Sequence, residues 1–159
     1  MQKVWLFMVV TVILGAVSCQ YKKEQQAESQ EQKDTTVASI PDSTIVGTSG
    51  DFGQSTFSLI TEKGDTLELL RELPNGDPSS IAGDIDSEQR YAITYEKKDG
   101  ELFLKTAVNL TQLETFAKEY KLANGAVVYN NDTLNIEVLN DTAFIAKGRS
   151  GKVWNVKKK

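Results

Sequence analysis

Apolar positions fall into distinct regimes along the chain. Val4 to Val17 is an apolar run broken only by Thr11. From Gln20 to about Thr44, Gln, Glu, Lys, Ser and Thr dominate, and large apolar residues are few. From Ile45 onward apolar residues return and alternate with polar ones, at the two-residue period of a half-buried strand. Phe57 and Leu59 share one face of a strand predicted over Ser55–Thr61, and Lys63-Gly64-Asp65 turns the chain into Thr66–Leu73. Leu69-Leu70 breaks the alternation there, as a bulge or a doubly buried strand does. Tyr91, Ile93 and Tyr95 line the next strand, and Lys98-Asp99-Gly100 is a hairpin turn into Glu101–Val108.

The last third reads as a meander. Ala126–Tyr129 leads through Asn130-Asn131-Asp132 into Leu134, Ile136 and Val138, which alternate with Thr133, Asn135 and Glu137. Asn140-Asp141 and Arg149-Ser150-Gly151 turn into Thr142–Lys147 and Lys152–Val156. Only one stretch has a helical period. Thr111-Gln112-Leu113-Glu114 has the form of a capping box, and Leu113, Phe116, Ala117 and Tyr120 fall on one helical face before Asn124-Gly125 ends it. Pro74 to Glu88 reads as a turn region whose Ile81 and Ile85 suit a covering loop, and Gly47, Gly50 and Gly53 read as a glycine loop.

These elements predict a mainly β fold: a small antiparallel barrel or sandwich of about eight strands with one short helix. A helix between strands also suits an OB-like barrel carrying a C-terminal β-hairpin extension. The domain organisation expected is a leader over 1–18, a tether over 19–44 and a single β-rich domain over 45–159.

The leader has the three-part build of a secretory signal. Lys3 supplies a positive start, the apolar run a core, and Ala16 and Ser18 small residues for a peptidase pocket. A membrane-spanning helix needs roughly 20 apolar residues, so the run is short for a bilayer span. Ala16-Val17-Ser18-Cys19 resembles the lipobox of bacterial lipoproteins, with Ala16 where leucine is usual. The resemblance implies diacylglycerol on the Cys19 sulfur, cleavage before Cys19 and acylation of the new N-terminus. A thiolate is a good nucleophile for accepting a lipid. A single acyl chain holds a protein only marginally, so several chains are needed for a stable anchor. Gln20 stands where an aspartate would retain a lipoprotein in the inner membrane, so the resemblance implies the outer membrane, with the periplasmic or surface face left open. Tyr21-Lys22-Lys23-Glu24 is similar to the charged patches some Bacteroidota lipoproteins use for surface export. As a flexible coil, the tether would hold its ends about 25–30 Å apart.

Composition narrows the chemistry. The 159-residue chain carries a formal net charge of −4, and its only basic run is the terminal Lys157-Lys158-Lys159. A nucleic-acid binder needs a basic face, so no nucleic acid is expected as a partner. There is no histidine, and Cys19 is the only cysteine. That removes Ser-His-Asp and Cys-His catalysis, and once Cys19 is lipidated it leaves no disulfide and no thiolate metal site.

The remaining candidates are each weighed against a simpler reading. Asp84-Ile85-Asp86-Ser87-Glu88 spaces oxygens as calcium loops do, but Arg90 and Tyr91 stand where the rest of that motif would begin; a solvated acidic loop is expected. Ser49, in Gly47-Thr48-Ser49-Gly50, lacks both the nucleophile-elbow spacing and a histidine partner. Tyr91, Tyr95, Phe103, Tyr129 and Trp154 are read as core, with a binding face as the alternative. The expected function is a non-enzymatic, lipid-anchored module that meets the membrane through Cys19. Its β domain would bind an envelope protein or glycan, with no cofactor. An inhibitor or accessory subunit using the Pro74–Glu88 loop is the alternative, and a carboxylate hydrolase is a distant third.

Overall fold

A computed structural model describes residues 42–158. The leader, Cys19 and the tether through Pro41 lie outside the described residues, as does Lys159.

Five long strands close into a barrel. β1 (Ile45–Phe52) pairs antiparallel with β2 (Thr56–Thr61), and β2 with β3 (Thr66–Leu70). β4 (Ser80–Ala82) is a short strand on the connection that follows. β5 (Arg90–Lys98) pairs with the other edge of β1, and β6 (Glu101–Asn109) pairs with β5. β6 returns to β3 in parallel, with Leu70 opposite Phe103, and then takes β4 in parallel from Thr106 to Val108. Counting the long strands alone, the ring runs first, second, third, fifth, fourth. This is the order of an OB-type Greek-key barrel.

The period-two pattern is what fills the barrel. Phe57, Leu59, Leu69, Tyr91, Ile93, Leu104 and Ala107 form its interior, closed by Ile81 and Ile85 from the connection. A bulge in the β5–β6 pairing, where Thr94 and Tyr95 face Thr106 and Leu104, leaves Lys105 as the extra residue and lets Leu104 and Ala107 both face inward although they are three positions apart. Of the glycines read as a loop, Gly47 and Gly50 lie within β1 and only Gly53 follows it. A side chain at Gly47 would run into the Ile60 carbonyl, so the glycine lets β1 and β2 approach closely.

Outside the barrel lies a second, antiparallel sheet. Its strands β7 (Lys121–Ala123), β8 (Ala126–Tyr129), β9 (Asp132–Leu139), β10 (Ala143–Gly148) and β11 (Val153–Lys157) follow one another as a meander. Val127, Leu134, Leu139, Phe144 and Ala146 pack against Ala92 and Val108, residues of β5 and β6 that alternate with the barrel-facing ones. Asn130 and Asn131 both hold positive φ, as a two-residue hairpin turn requires.

The helix is shorter than its period predicts. α1 (Leu110–Leu113) is a single turn. Its cap is Asn109, whose side-chain oxygen accepts from the Gln112 backbone N–H at 3.0 Å. The capping-box residues are engaged elsewhere: the Thr111 hydroxyl accepts from Arg90 N–H, and Glu114 pairs with Arg90 at 3.0 Å. The Thr115 hydroxyl then donates to the Gln112 carbonyl at 2.8 Å, and the chain tightens into turns rather than continuing. The apolar face survives this change, since Leu113, Phe116, Ala117 and Tyr120 all pack into the core under the second sheet.

The β7–β8 turn fastens that sheet to the barrel. Gly125 has φ +75°, and a side chain there would strike the Thr106 hydroxyl and approach Thr94 Cγ2 to 2.7 Å. Asp42 and Thr44 hold the same turn, through Asn124 N–H and Gly125 N–H, each at 2.8 Å. Gly125→Ala is expected to lose about 2–3 kcal/mol in chemical denaturation, from backbone strain and overpacking together.

Candidate functional site

The connection from β3 to β5 crosses one end of the barrel, and local sequence chemistry fixes its course. Gly76 takes a positive φ in the turn after Pro74, Gly76 N–H bonds to the Leu73 carbonyl, and Leu73 N–H bonds to Asp77 O, both at 2.8 Å. The Asn75 side chain accepts from Asp77 N–H at 3.1 Å and donates to its carboxylate at 2.7 Å. Ser79 Oγ then lies 2.7 Å from the Arg71 carbonyl and 2.6 Å from that of Leu104. The segment is thus a strap bound to the barrel over most of its length.

Beyond β4 the strap enters a polar lock. Asn109 is fully buried; its Nδ2 reaches the Asp84 carbonyl at 3.0 Å, the Tyr91 hydroxyl at 3.1 Å and Gln89 Oε1. The Tyr91 hydroxyl donates to Asp84 O at 2.7 Å and accepts from Asp86 N–H at 3.0 Å. Burial, above all, raises the Tyr91 phenol from its ordinary value. The Gln112 amide donates to the carboxylates of Asp84, at 2.7 Å, and Asp141, at 3.1 Å, and so joins the strap to the second sheet.

This lock accounts for several candidates. Asp84 and Asp86 are exposed, but each carboxylate has internal donors: Gln112 for Asp84, and Ser87 N–H and Gln89 Nε2 for Asp86. Among the described residues no group of three or more His, Cys, Asp or Glu is placed to hold a metal ion. Asp84 and Asp141 do converge, but the Gln112 amide stands between them where a hydrolase would need its substrate. Ser49 is 2% exposed; its hydroxyl donates to Asp86 O at 2.6 Å, and its backbone exchanges hydrogen bonds with Gln89 and Glu88. It anchors the strap. The five aromatics do not share a face. Tyr91 and Tyr95 belong to the barrel interior and Phe103 is buried. Tyr129 and Trp154 meet edge-on at 6.0 Å on the second sheet, with the Lys152 ammonium 5.0 Å over the Trp154 ring.

Two clefts differ in chemistry. The larger, about 590 Å³, is lined by Glu114, Lys118, Tyr120 and Leu122. Its carboxylate is already engaged, since Glu114 Oε1 accepts from Arg90 at 3.0 Å and from Tyr120 at 2.9 Å. Burial first, and that hydrogen bond next, push the Tyr120 phenol up to about 12.

The second cleft, about 360 Å³, lies between the β1–β2 turn and the strap. Gln54, Ser55, Arg71, Glu72, Gly76, Pro78, Ser79 and Ile81 line it. Arg71 springs from a fixed point: its N–H bonds to Ser55 O at 2.9 Å, and its carbonyl accepts from Ser79 N–H at 3.0 Å. Arg71 Nη1 donates to the Gly53 carbonyl at 3.2 Å. Its Nε is buried and finds no partner among the described residues, where the only ion pair is Arg90–Glu114. A buried donor without an acceptor is uncommon and costly. Sequence reasoning passed over Arg71, because a single arginine at a strand end belongs to no motif; only the fold puts it beneath a strap.

The fold and clefts define a small β-barrel domain extended by a second sheet. No protein-family model matches the chain, and no curated protein or solved structure matches it either.

Proposed function

We propose that this protein is a lipid-anchored cell-envelope component whose β domain is a non-enzymatic binding module. The observation that carries the reading is the cleft of about 360 Å³ between the β1–β2 turn and the strap, where Gln54, Ser55, Arg71 and Ser79 meet in a concavity on the barrel. Rigid placement of a few polar groups in a concavity is what binding sites require. The lipobox-like Ala16-Val17-Ser18-Cys19 supports the location, and Gln20 favours the outer membrane. The lack of histidine, and of any cysteine besides Cys19, argues against the common nucleophilic enzymes. Its partner is an envelope protein or glycan.

The alternative, an inhibitor or accessory subunit of an envelope enzyme, has one observation in its favour. The Leu73–Asp77 turn is closed by its own hydrogen bonds and is therefore pre-organised for docking.

The anchor is tested by feeding labelled palmitate to cells producing the full chain. The wild type is expected to take up label and sediment with membranes. Cys19→Ala is expected to lose the label completely. Label retained in the variant would remove the lipobox from the account.

A further inference from the structure

We infer that the free edge of β11 is a second membrane contact, which docks on anionic lipid headgroups. The inference rests on the lipid-anchored reading above and names the surface that meets the bilayer. Charge is segregated along the chain. Residues 42–141 carry 18 Asp and Glu against 8 Lys and Arg, a net −10. Residues 142–159 carry Lys147, Arg149, Lys152, Lys157, Lys158 and Lys159, and no Asp or Glu. The fold gathers this segment into β10 and β11, and β11 is the outermost strand of its sheet. The first five of these cations are exposed, and none forms an ion pair among the described residues. Asp132 reaches the turn between the two strands, where Ser150 engages its carboxylate.

Lysines on a sheet edge ordinarily keep other strands away. That role does not account for the apolar residues between them. Val153 is 60% exposed and Val156 41%, two of the four exposed large hydrophobics among the described residues. Val153 lies opposite Lys147 and Val156 opposite Phe144, so the valines stand on opposite faces of β11 and share its free edge. Cations around exposed apolar side chains suit a headgroup layer, which attracts the charge and admits the valines. A single-stranded nucleic acid would need a free ring on which to stack. Trp154 instead packs edge-on against Tyr129 and is covered by Lys152.

The preceding chain argues for the membrane in particular. Asp42, the first described residue, accepts from Asn124 N–H at 2.8 Å in the β7–β8 turn of the same sheet. Read as a coil, the 22 residues from Gln20 to Pro41 span about 25 Å. Four strand spacings, about 19 Å, separate β7 from β11. The anchor therefore keeps β11 within reach of the bilayer at a high effective concentration.

The test uses the full lipidated chain in vesicles. Trp5→Phe, in the leader, makes Trp154 the only tryptophan in every sample. Vesicles of phosphatidylcholine are compared with vesicles holding about 30 mol% phosphatidylglycerol, both with nitroxide on some phosphatidylcholine headgroups. Quenching of Trp154 is expected to be at least about twofold greater in the anionic vesicles, and to fall to the neutral value at about 0.5 M salt. Lys147→Gln, Lys152→Gln, Lys157→Gln and Lys158→Gln together are expected to abolish the difference. Lys97→Gln with Lys98→Gln, on the β5–β6 hairpin, is expected to leave it unchanged.

Equal quenching, with the chain floating on both kinds of vesicle, would overturn the inference and leave the anchor standing. Flotation on the anionic vesicles alone would sink the anchor and keep the basic edge. Flotation on neither would overturn both. Reversal of the quenching by soluble polyglutamate at less than the lipid's charge would assign β11 to an acidic protein and overturn the inference.

Discussion

Asn109→Ala will lower the free energy of unfolding by about 3–5 kcal/mol, measured by urea denaturation with fluorescence and circular dichroism as coincident probes. Asn109 has no exposure to solvent and joins three parts of the fold. Its oxygen caps α1, a contribution of about 1 kcal/mol. Its amide reaches the Asp84 carbonyl, Tyr91 hydroxyl and Gln89 side chain. Truncation removes these three hydrogen bonds, at about 0.5–1.5 kcal/mol each; the Asp84 carbonyl keeps the Tyr91 hydroxyl as donor, and that hydroxyl keeps Asp86 N–H. The comparison that isolates the lock is Gln112→Ala. It removes the link to Asp84 and Asp141, and it should cost less because both carboxylates are exposed and return to water. A loss below about 1 kcal/mol for Asn109→Ala would mean that the strap is not held by this network.

Phe57→Ala is expected to be as damaging, at about 3–5 kcal/mol. The ring is fully buried inside the barrel and meets Tyr91 edge-on, with centroids 5.1 Å apart and planes at 79°. Closure by a single parallel contact, Leu70 with Phe103, leaves the barrel dependent on its filling rather than on its seam. The surface residue Val153, 60% exposed on β11, provides the control; Val153→Ala should stay within about 0.5 kcal/mol in the same denaturation series. Comparable losses at both positions would contradict the assignment of the core.

The period-two pattern located most strands because each faces a core on one side only. Phe57 and Leu59, or Tyr91, Ile93 and Tyr95, disclose their faces without further help. Hairpin chemistry was equally legible at Asp99-Gly100, which takes the positive φ values its residue types favour. Asn124-Gly125, read as the end of the helix, is instead the turn between β7 and β8. Two further features defeated local reading. The Gly47–Gly53 stretch looked like a loop, yet all of it but Gly53 lies in β1, where Gly47 permits close packing on β2. The helix after Asn109 looked longer, because its apolar face is real; Arg90, more than twenty residues upstream, captures Glu114 and removes the capping box. Both outcomes depend on partners distant in sequence. The same holds for Arg71, whose importance comes from the Gly53 carbonyl and from a strap that folds back over it.

The most direct test of the central claim is affinity capture from envelope extract, with the lipidated wild-type chain and Arg71→Gln run side by side. The account predicts one stoichiometric envelope partner. It should be retained by the wild type and reduced about tenfold by the variant, with no substrate turnover by the purified chain. Equal retention by a folded Arg71→Gln would contradict the cleft as the binding site. Hydrolase or transferase activity in the purified chain would contradict the binding-module reading altogether.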